Sequence, residues 1–468
     1  MRLKTITLLG PIILGSTICL QPLTAPAQSW DYTSLAITNP APAANDWFGS
    51  SVAAVGPDLL LVGASFDDSA SAYLFSTSGA LVTVITNPTP AAGGLFGSSV
   101  AALGADRVLI GAHEASTGAN FTGAAYLFST KGALLTTFTN PTPAFAEFFG
   151  YSLAAVGSDR LLIGANQGFL GALRAGAAYL FSTNGSLFTT FTNPTPADAD
   201  YFGSSVAVVG SDLILIGAYQ DDTGATNAGA AYLFNTNGRL LITFTNPAPA
   251  ANDYFGSSVA VVGNDRVLIG ASRDDTGATD AGAVYLFNTN GTLLTTFTNP
   301  APAASDYFGS SVAAVRNDRI LIGASRDDTG ATDAGTVYLF STNGTQLTTF
   351  TNPAPAASDY FGSALASMAN ERLLVGAYGE NTGASGAGAA YLFTPSSPSL
   401  VVSLTATNKV AVSWPSSSSS NWMLQQNTGG ISSANWTIAS GPIQDDGTKK
   451  TFIVNPPGVN CYYRLVLP

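Results

Sequence analysis

The dipeptide Phe-Gly recurs at Phe48, Phe96, Phe149, Phe202, Phe255, Phe308 and Phe361, once after 48 residues and five times after 53. Tyr-Leu-Phe follows in every interval, at Tyr73, Tyr126, Tyr179, Tyr232, Tyr285, Tyr338 and Tyr391. A unit repeated at a fixed period does not bury its apolar face alone, so the copies must pack on one another. In the unit that begins at Phe255, apolar and β-branched runs predict strand a over 257–262, b over 266–271, c over 283–287 and d over 293–298. Asn290-Gly291 between c and d is expected to be a two-residue hairpin turn.

Four strands per unit, seven units and a period near 50 residues are the arithmetic of a seven-bladed β-propeller, so the expected class is all-β. Thr-Asn-Pro ends strand d six times, at Thr86, Thr139, Thr192, Thr245, Thr298 and Thr351, and a seventh copy at Thr38 precedes the first Phe-Gly. The last unit has no strand d after Phe393. A strand at 34–39 is therefore expected to complete it, closing the ring and removing its free edges. These residues (Phe-Gly-Ser-Ser-Val-Ala, Val-Leu-Ile-Gly-Ala and Gly-Ala-Val-Tyr-Leu-Phe, as at 255–287) resemble the FG-GAP repeat, the blade of the integrin α-subunit propeller. The resemblance covers roughly 34–393. Members of that family often hold calcium in a D-x-D-x-D-G loop between strands a and b. Here that connection is only Gly263-Asn264-Asp265-Arg266 and its equivalents, so those calcium sites are not carried over.

The propeller is expected over 28–393, a linker over 394–399 and a small β domain over 400–468, in which Val412-Ser413-Trp414-Pro415 and Tyr463-Arg464-Leu465-Val466 look like strands of a fibronectin type III sandwich. Residues 1–27 read as a signal peptide: Arg2 and Lys4, an apolar run over 6–20, and Ala25 and Ala27 at an A-x-A cleavage site. No later stretch reaches 18 apolar residues, so a secreted chain without a membrane span is expected, in the periplasm, on the surface or outside the cell. With 17 Lys and Arg against 29 Asp and Glu, the chain lacks the basic surface that nucleic acid requires. One His and two Cys leave little material for zinc or His-based triads, and Cys461, among Tyr462, Tyr463 and Leu465, is expected to be buried.

Antiparallel connectivity places the b–c and d–a loops on one face of the disc. That face holds 19 acidic residues against Arg174, Arg273 and Arg326, a net of −16, whereas the opposite face is at about +1. Asp-Asp-Thr-Gly-Ala-Thr-Asp, as at 274–280, admits two readings. Asp221, Asp222, Asp274, Asp275, Asp280, Asp327, Asp328 and Asp333 could gather carboxylates round calcium, or they could make Asx turns and keep an apolar protein soluble. In blades 2 and 3, His113-Glu114 and Asn166-Gln167 stand in place of the Asp pair. Those blades also carry Phe121, Phe169, Leu170, Leu173 and Arg174 in their loops, which either form an off-centre contact patch or, for Phe169 and Leu170, fold back onto the propeller. The aromatic before most Phe-Gly pairs (Trp47, Phe148, Tyr201, Tyr254, Tyr307, Tyr360) could stack sugars or pack between blades. The sequence is read as a monomeric binding or adhesion module for an extracellular protein or glycan that requires no cofactor, calcium at the Asp loops being the one option left open. The alternative is an extracellular glycan-processing enzyme that works with carboxylates alone.

Overall fold

The computed structural model describes residues 6–8, 32–67, 71–89, 94–117, 119–396, 400–405, 407, 409–415, 422–427, 435–446, 449–454 and 461–466. They form two units, one over 33–394 and one comprising 1–32 with 395–468. Among the described residues there are strands, turns and a single 3-10 turn at Ala369–Glu371.

The larger unit is a seven-bladed β-propeller. Six sheets run in the order a-b-c-d; in blade 5 these strands are Phe255–Val262, Arg266–Ala271, Ala283–Asn288 and Leu293–Thr298. In the seventh sheet Phe361–Ser367, Leu373–Ala377 and Ala389–Pro395 are followed by Tyr32–Thr38 in the outer place. Each strand a packs on the strand a of the next blade, and the seventh packs on the first, so these strands line the axis. The c–d connection corrects the two-residue turn. Asn288 N–H donates to the Thr292 carbonyl and Gly291 N–H to the Asn288 carbonyl, so Thr289, Asn290 and Gly291 make a three-residue loop. A two-residue type I′ turn needs positive φ at both central residues; here Gly291 alone has it, at 93°, which is the type I turn with a bulged glycine.

The repeated residues make the joints between blades. Strand a begins two residues earlier than expected, because Phe255 pairs with Ala271 before a bulge shifts the register to Ser258 opposite Gly270. Gly256 sits in that bulge at φ 89°, and a Cβ there would lie 2.4 Å from the Ala230 carbonyl oxygen of the preceding blade. Gly270 faces the next blade as closely, since a Cβ on it would lie 2.3 Å from the Gly309 oxygen, and Ser258 Oγ donates to that same oxygen at 2.7 Å. Phe255 N–H donates to the Ala228 carbonyl at 2.8 Å, and Phe48 N–H donates to Ala387 at 3.0 Å, so blade 7 joins blade 1 by the bond used elsewhere in the ring. Apolar layers fill the joints. Between blades 4 and 5, Leu215, Leu233, Phe244, Phe255, Ile269 and Phe287 are all buried, each full burial being worth roughly 1.5–3 kcal/mol.

The face opposite the b–c loops adds polar ties. Arg107 and Arg160 reach the Ser158 and Ser211 carbonyls of the next blade at 2.8 and 3.0 Å, and Arg266 reaches that of Asn317. Blade 6 differs. Arg319, 1% exposed, forms a two-pronged pair with Glu371 of blade 7, at 2.8 and 3.1 Å, and Arg316 Nε adds a third contact at 3.0 Å.

The smaller unit has two four-stranded sheets. One runs Val401–Leu404, Val410–Pro415, Lys449–Val454, Ile443–Asp445; the other runs Ile6–Leu8, Cys461–Val466, Met423–Asn427, Thr437–Ile438. Val412, Trp414, Leu424, Phe452, Val454 and Tyr463 form its core. Ile6–Leu8 pair antiparallel with Cys461–Tyr463; the rest of the expected signal peptide, and the side chain of Cys461, lie outside the described residues. No helix among the described residues is long and apolar enough to cross a membrane.

Candidate functional site

The acidic loops use their carboxylates internally. In blade 4, Asn193 of Thr-Asn-Pro donates through Nδ2 to Asp200 at 2.7 Å and to Asp221 at 3.2 Å. The Tyr232 hydroxyl donates to the same oxygen of Asp221 at 2.6 Å, while Thr223 N–H takes the other at 2.9 Å. Blade 5 repeats this with Asn246, Asp253, Asp274 and Tyr285, and blade 6 ties Asn299 to Asp306 and Tyr338 to Asp327. The second Asp of each pair caps its own loop: Asp222 accepts from Asn227 N–H at 2.8 Å, Asp275 from Asp280 at 2.9 Å and Asp328 from Asp333 at 2.8 Å. Asp280 and Asp333 occupy left-handed turn positions at φ 54° and 52°. Among the described residues no group of three or more His, Cys, Asp or Glu side chains is placed to hold a metal ion. Burial pushes Asp200, Asp253, Asp306 and Asp359 up to about 6, the backbone N–H each accepts opposing the rise and the facing Asp221, Asp274, Asp327 or Glu380 adding to it.

Before blade 3, Asn140 Nδ2 still donates to Glu147 at 2.7 Å, but blades 2 and 3 lack the first Asp of the loop, for a reason that corrects the reading of the sequence. The residue whose carbonyl accepts from the glycine before strand c is Asp221, Asp274 or Asp327 in blades 4 to 6, but Ala115 in blade 2 and Gly168 in blade 3. Ala115 and Gly168, not His113-Glu114 and Asn166-Gln167, therefore stand where the first Asp would be. His113 lies one residue after strand b. Its Nδ1 pairs with Ser98 Oγ at 2.7 Å, as Ser50 pairs with Ser65 at 3.2 Å and Ser310 with Ser325 at 3.1 Å in other blades. Burial pushes its imidazole down to about 4.

At the axial mouth of the same face lies a ring of side chains, built alternately from the residue before Phe-Gly and a residue just after strand b. Tyr201 stacks on Tyr219 at 5.3 Å, and Tyr219 meets Tyr254 edge-on at 5.2 Å. The Arg273 guanidinium lies 4.6 Å from the centre of Tyr254 and 5.2 Å from that of Tyr307; Arg326 lies 4.9 Å from Tyr307 and 5.7 Å from Tyr360. Tyr360 stacks on Tyr378 at 4.9 Å, Tyr378 meets Trp47 at 5.3 Å, and Trp47 meets Phe66 at 4.1 Å. A shorter run joins His113 to Phe148 and Tyr151 at 5.3 and 5.2 Å. The aromatics before Phe-Gly are half-buried, whereas Phe66 is 46% exposed. Sequence inspection found that column but not its partners. Arg273, Arg326, Tyr219, Tyr378 and Phe66 occupy two adjacent positions that change residue type from blade to blade.

Of the expected off-centre patch, Phe121, Phe169, Leu173 and Arg174 are exposed, while Leu170 is half-buried against the core between blades 2 and 3. Phe145, which the sequence reading passed over, is 61% exposed and meets Phe121 edge-on at 6.2 Å. Asp198 accepts from Leu173 N–H at 3.0 Å and fixes that loop.

The FG-GAP repeat model matches residues 36–75, 190–234, 243–287, 295–340 and 345–393. Solved structures of similar shape include the WD40 β-propeller domain of Doa1, with TM-score 0.47 and 14% identity over 77% of this chain and 97% of that one. Another is BBS1N in complex with ARL6DN, with TM-score 0.45 and 12% identity over 76% and 96% of the two chains. No curated protein matches the chain.

Proposed function

From a chain of FG-GAP repeats closed into a seven-bladed propeller, we propose a secreted binding or adhesion module that takes an extracellular protein or glycan on its loop-rich face. The observation that carries this reading is the axial ring. Half-buried tyrosines, the half-buried Arg273 and the exposed Arg326 converge there from adjacent blades, presenting apolar bodies and polar edges to solvent, the composition from which recognition surfaces are made. The exposed Phe121, Phe145, Phe169 and Leu173 supply a second, peripheral contact area. The first Asp of the blade 4–6 loops and its partner before strand a are buried and bonded to Asn amides or Tyr hydroxyls, which favours the Asx-turn reading over calcium and binding over carboxylate catalysis.

Probing arrays of glycans and of extracellular proteins with the full chain, beside a variant carrying Tyr254→Ala and Tyr307→Ala, tests the proposal. Retention of a ligand by the parent and its loss by the variant, at an unchanged melting temperature, is the expected outcome. Glycan turnover that disappears in a variant carrying Asp222→Asn and Asp275→Asn would replace the binding reading with the enzyme.

A further inference from the structure

We infer that the arc of the axial ring contributed by blades 5 and 6 is a carboxylate-binding site for an acidic glycan, the uronate carboxylate lying on Arg273 and Arg326. The inference rests on the loop face being the binding face, and it names the ligand class for that face.

Arg273 and Arg326 precede Asp274 and Asp327 in sequence, yet each acid is buried and held by a tyrosine hydroxyl of its own blade, Tyr285 or Tyr338. The guanidiniums lie instead over the rings at the mouth, and neither forms an ion pair among the described residues. Both lie within 5.2 Å of the centre of the Tyr307 ring, so two like charges are held close together with no carboxylate among the described residues in ion-pair contact with either, an arrangement that an arriving anion stabilises. A guanidinium held over aromatic rings by cation–π attraction keeps its fork of N–H donors, which matches a carboxylate with two parallel hydrogen bonds. An isolated cation-binding aromatic cage would be empty of arginine; this one is already filled from its own chain, and the charge it offers is positive.

The neighbouring side chains argue for a sugar as the carrier of that carboxylate. Tyr360, Tyr378, Trp47 and Phe66 continue the ring directly from Arg326, so a pyranose next to the uronate meets aromatic surface rather than charge. The acidic loops further out repel a long polyanion that would have to cross them, so the ligand class is a short oligosaccharide.

Calorimetric titration of the full chain tests this with three probes: an oligogalacturonate, its fully methyl-esterified form, and polyglutamate of equal charge. The oligogalacturonate is expected to bind in a salt-dependent way, and the ester about tenfold or more weakly. A variant carrying Arg273→Gln and Arg326→Gln should lose a similar factor at an unchanged melting temperature. Arg273→Lys with Arg326→Lys should recover only part, because lysine keeps the charge without the fork. Failure of the oligogalacturonate to bind, equal affinity for the ester, or an unaffected glutamine variant would each overturn the inference, and equal binding of polyglutamate would replace the glycan with an acidic peptide. A neutral glycan or a protein that requires Tyr254 and Tyr307 but ignores the arginine variants would leave the binding face standing and remove only the carboxylate assignment.

Discussion

The joint between blades 6 and 7 offers a sharp test of how this ring is held. Arg319 and Glu371 are 1% and 4% exposed in their side chains; Glu371 Oε2 accepts from one terminal nitrogen of Arg319 at 3.1 Å, and Oε1 lies at ion-pair distance from the other, 2.8 Å, and from Arg316 Nε, 3.0 Å. Glu371→Gln preserves shape but leaves the Arg319 charge buried beside one amide and the more exposed Asp318 carboxylate, which is 3.6 Å away. Breaking a buried pair by neutralising one partner costs about 3–5 kcal/mol, because desolvation of the survivor is no longer offset. Strand b begins with Leu59 in blade 1 and Leu213 in blade 4, each paired as Arg319 is with the residue after Tyr-Leu-Phe, so Arg319→Leu places at this joint a side chain the fold already accepts. Combined with Glu371→Gln it should bring stability back to within about 1 kcal/mol of the parent. Arg266→Gln in blade 5, whose Asp265 partner is 79% exposed, should cost under about 1 kcal/mol. Urea unfolding at pH 7, compared at constant m, measures all four. A loss below about 1 kcal/mol for Glu371→Gln, or a double variant no more stable than that single one, would refute the reasoning.

Three further outcomes follow from the same geometry. Gly256→Ala should destabilise by well over the roughly 1–2 kcal/mol of a left-handed alanine, since its Cβ would meet backbone oxygen at 2.4 Å, whereas Gly210→Ala, at φ 62° with open space around it, should cost only that penalty; denaturant midpoints compare them. The carboxyl of Asp306 is raised from 3.8 to about 6 in the folded chain, so its favourable contribution is complete below pH 3.8 and is lost as the pH rises through 6; Asp306→Asn should flatten the stability profile between pH 4 and 7 measured by unfolding at each pH. Phe169→Ser should leave the melting temperature nearly unchanged and Leu170→Ser should lower it by several degrees, because only Leu170 packs against the core; calorimetry of both variants decides.

The propeller is legible in the sequence because each repeated residue answers a local geometric demand. Phe255 fills the layer between blades, Gly256 and Gly270 allow the backbones to meet, and Asn246 ties the d–a loop, so a period appears wherever those demands recur. The loop alignment of blades 2 and 3 was also within reach. Eleven residues separate Ala112 from Gly123 and Ala165 from Gly176, as they separate Ala271 from Gly282, and counting them puts Ala115 and Gly168 opposite Asp274. The axial ring was not legible, since its contacting members sit 18 to 38 residues apart, and Tyr378 and Trp47 331 apart, and become neighbours only when blades pack on one another. Counting charge by face misled for a related reason: the count treats every Asp as surface, whereas Asp221, Asp253, Asp274, Asp306 and Asp327 are buried.

Because blade 7 meets blade 1 through the same Phe N–H to alanine carbonyl bond that joins blades 4 and 5, the circle has no structurally privileged starting point. Joining Thr394 to Thr33 through a short linker and opening the chain at another c–d turn, for example between Asn290 and Gly291, should yield a circular permutant that folds to the same disc. The order in which the blades leave the ribosome would then be a free variable, and the chain becomes a means of asking whether a ring must be closed by its first and last strands or can be sealed at any seam.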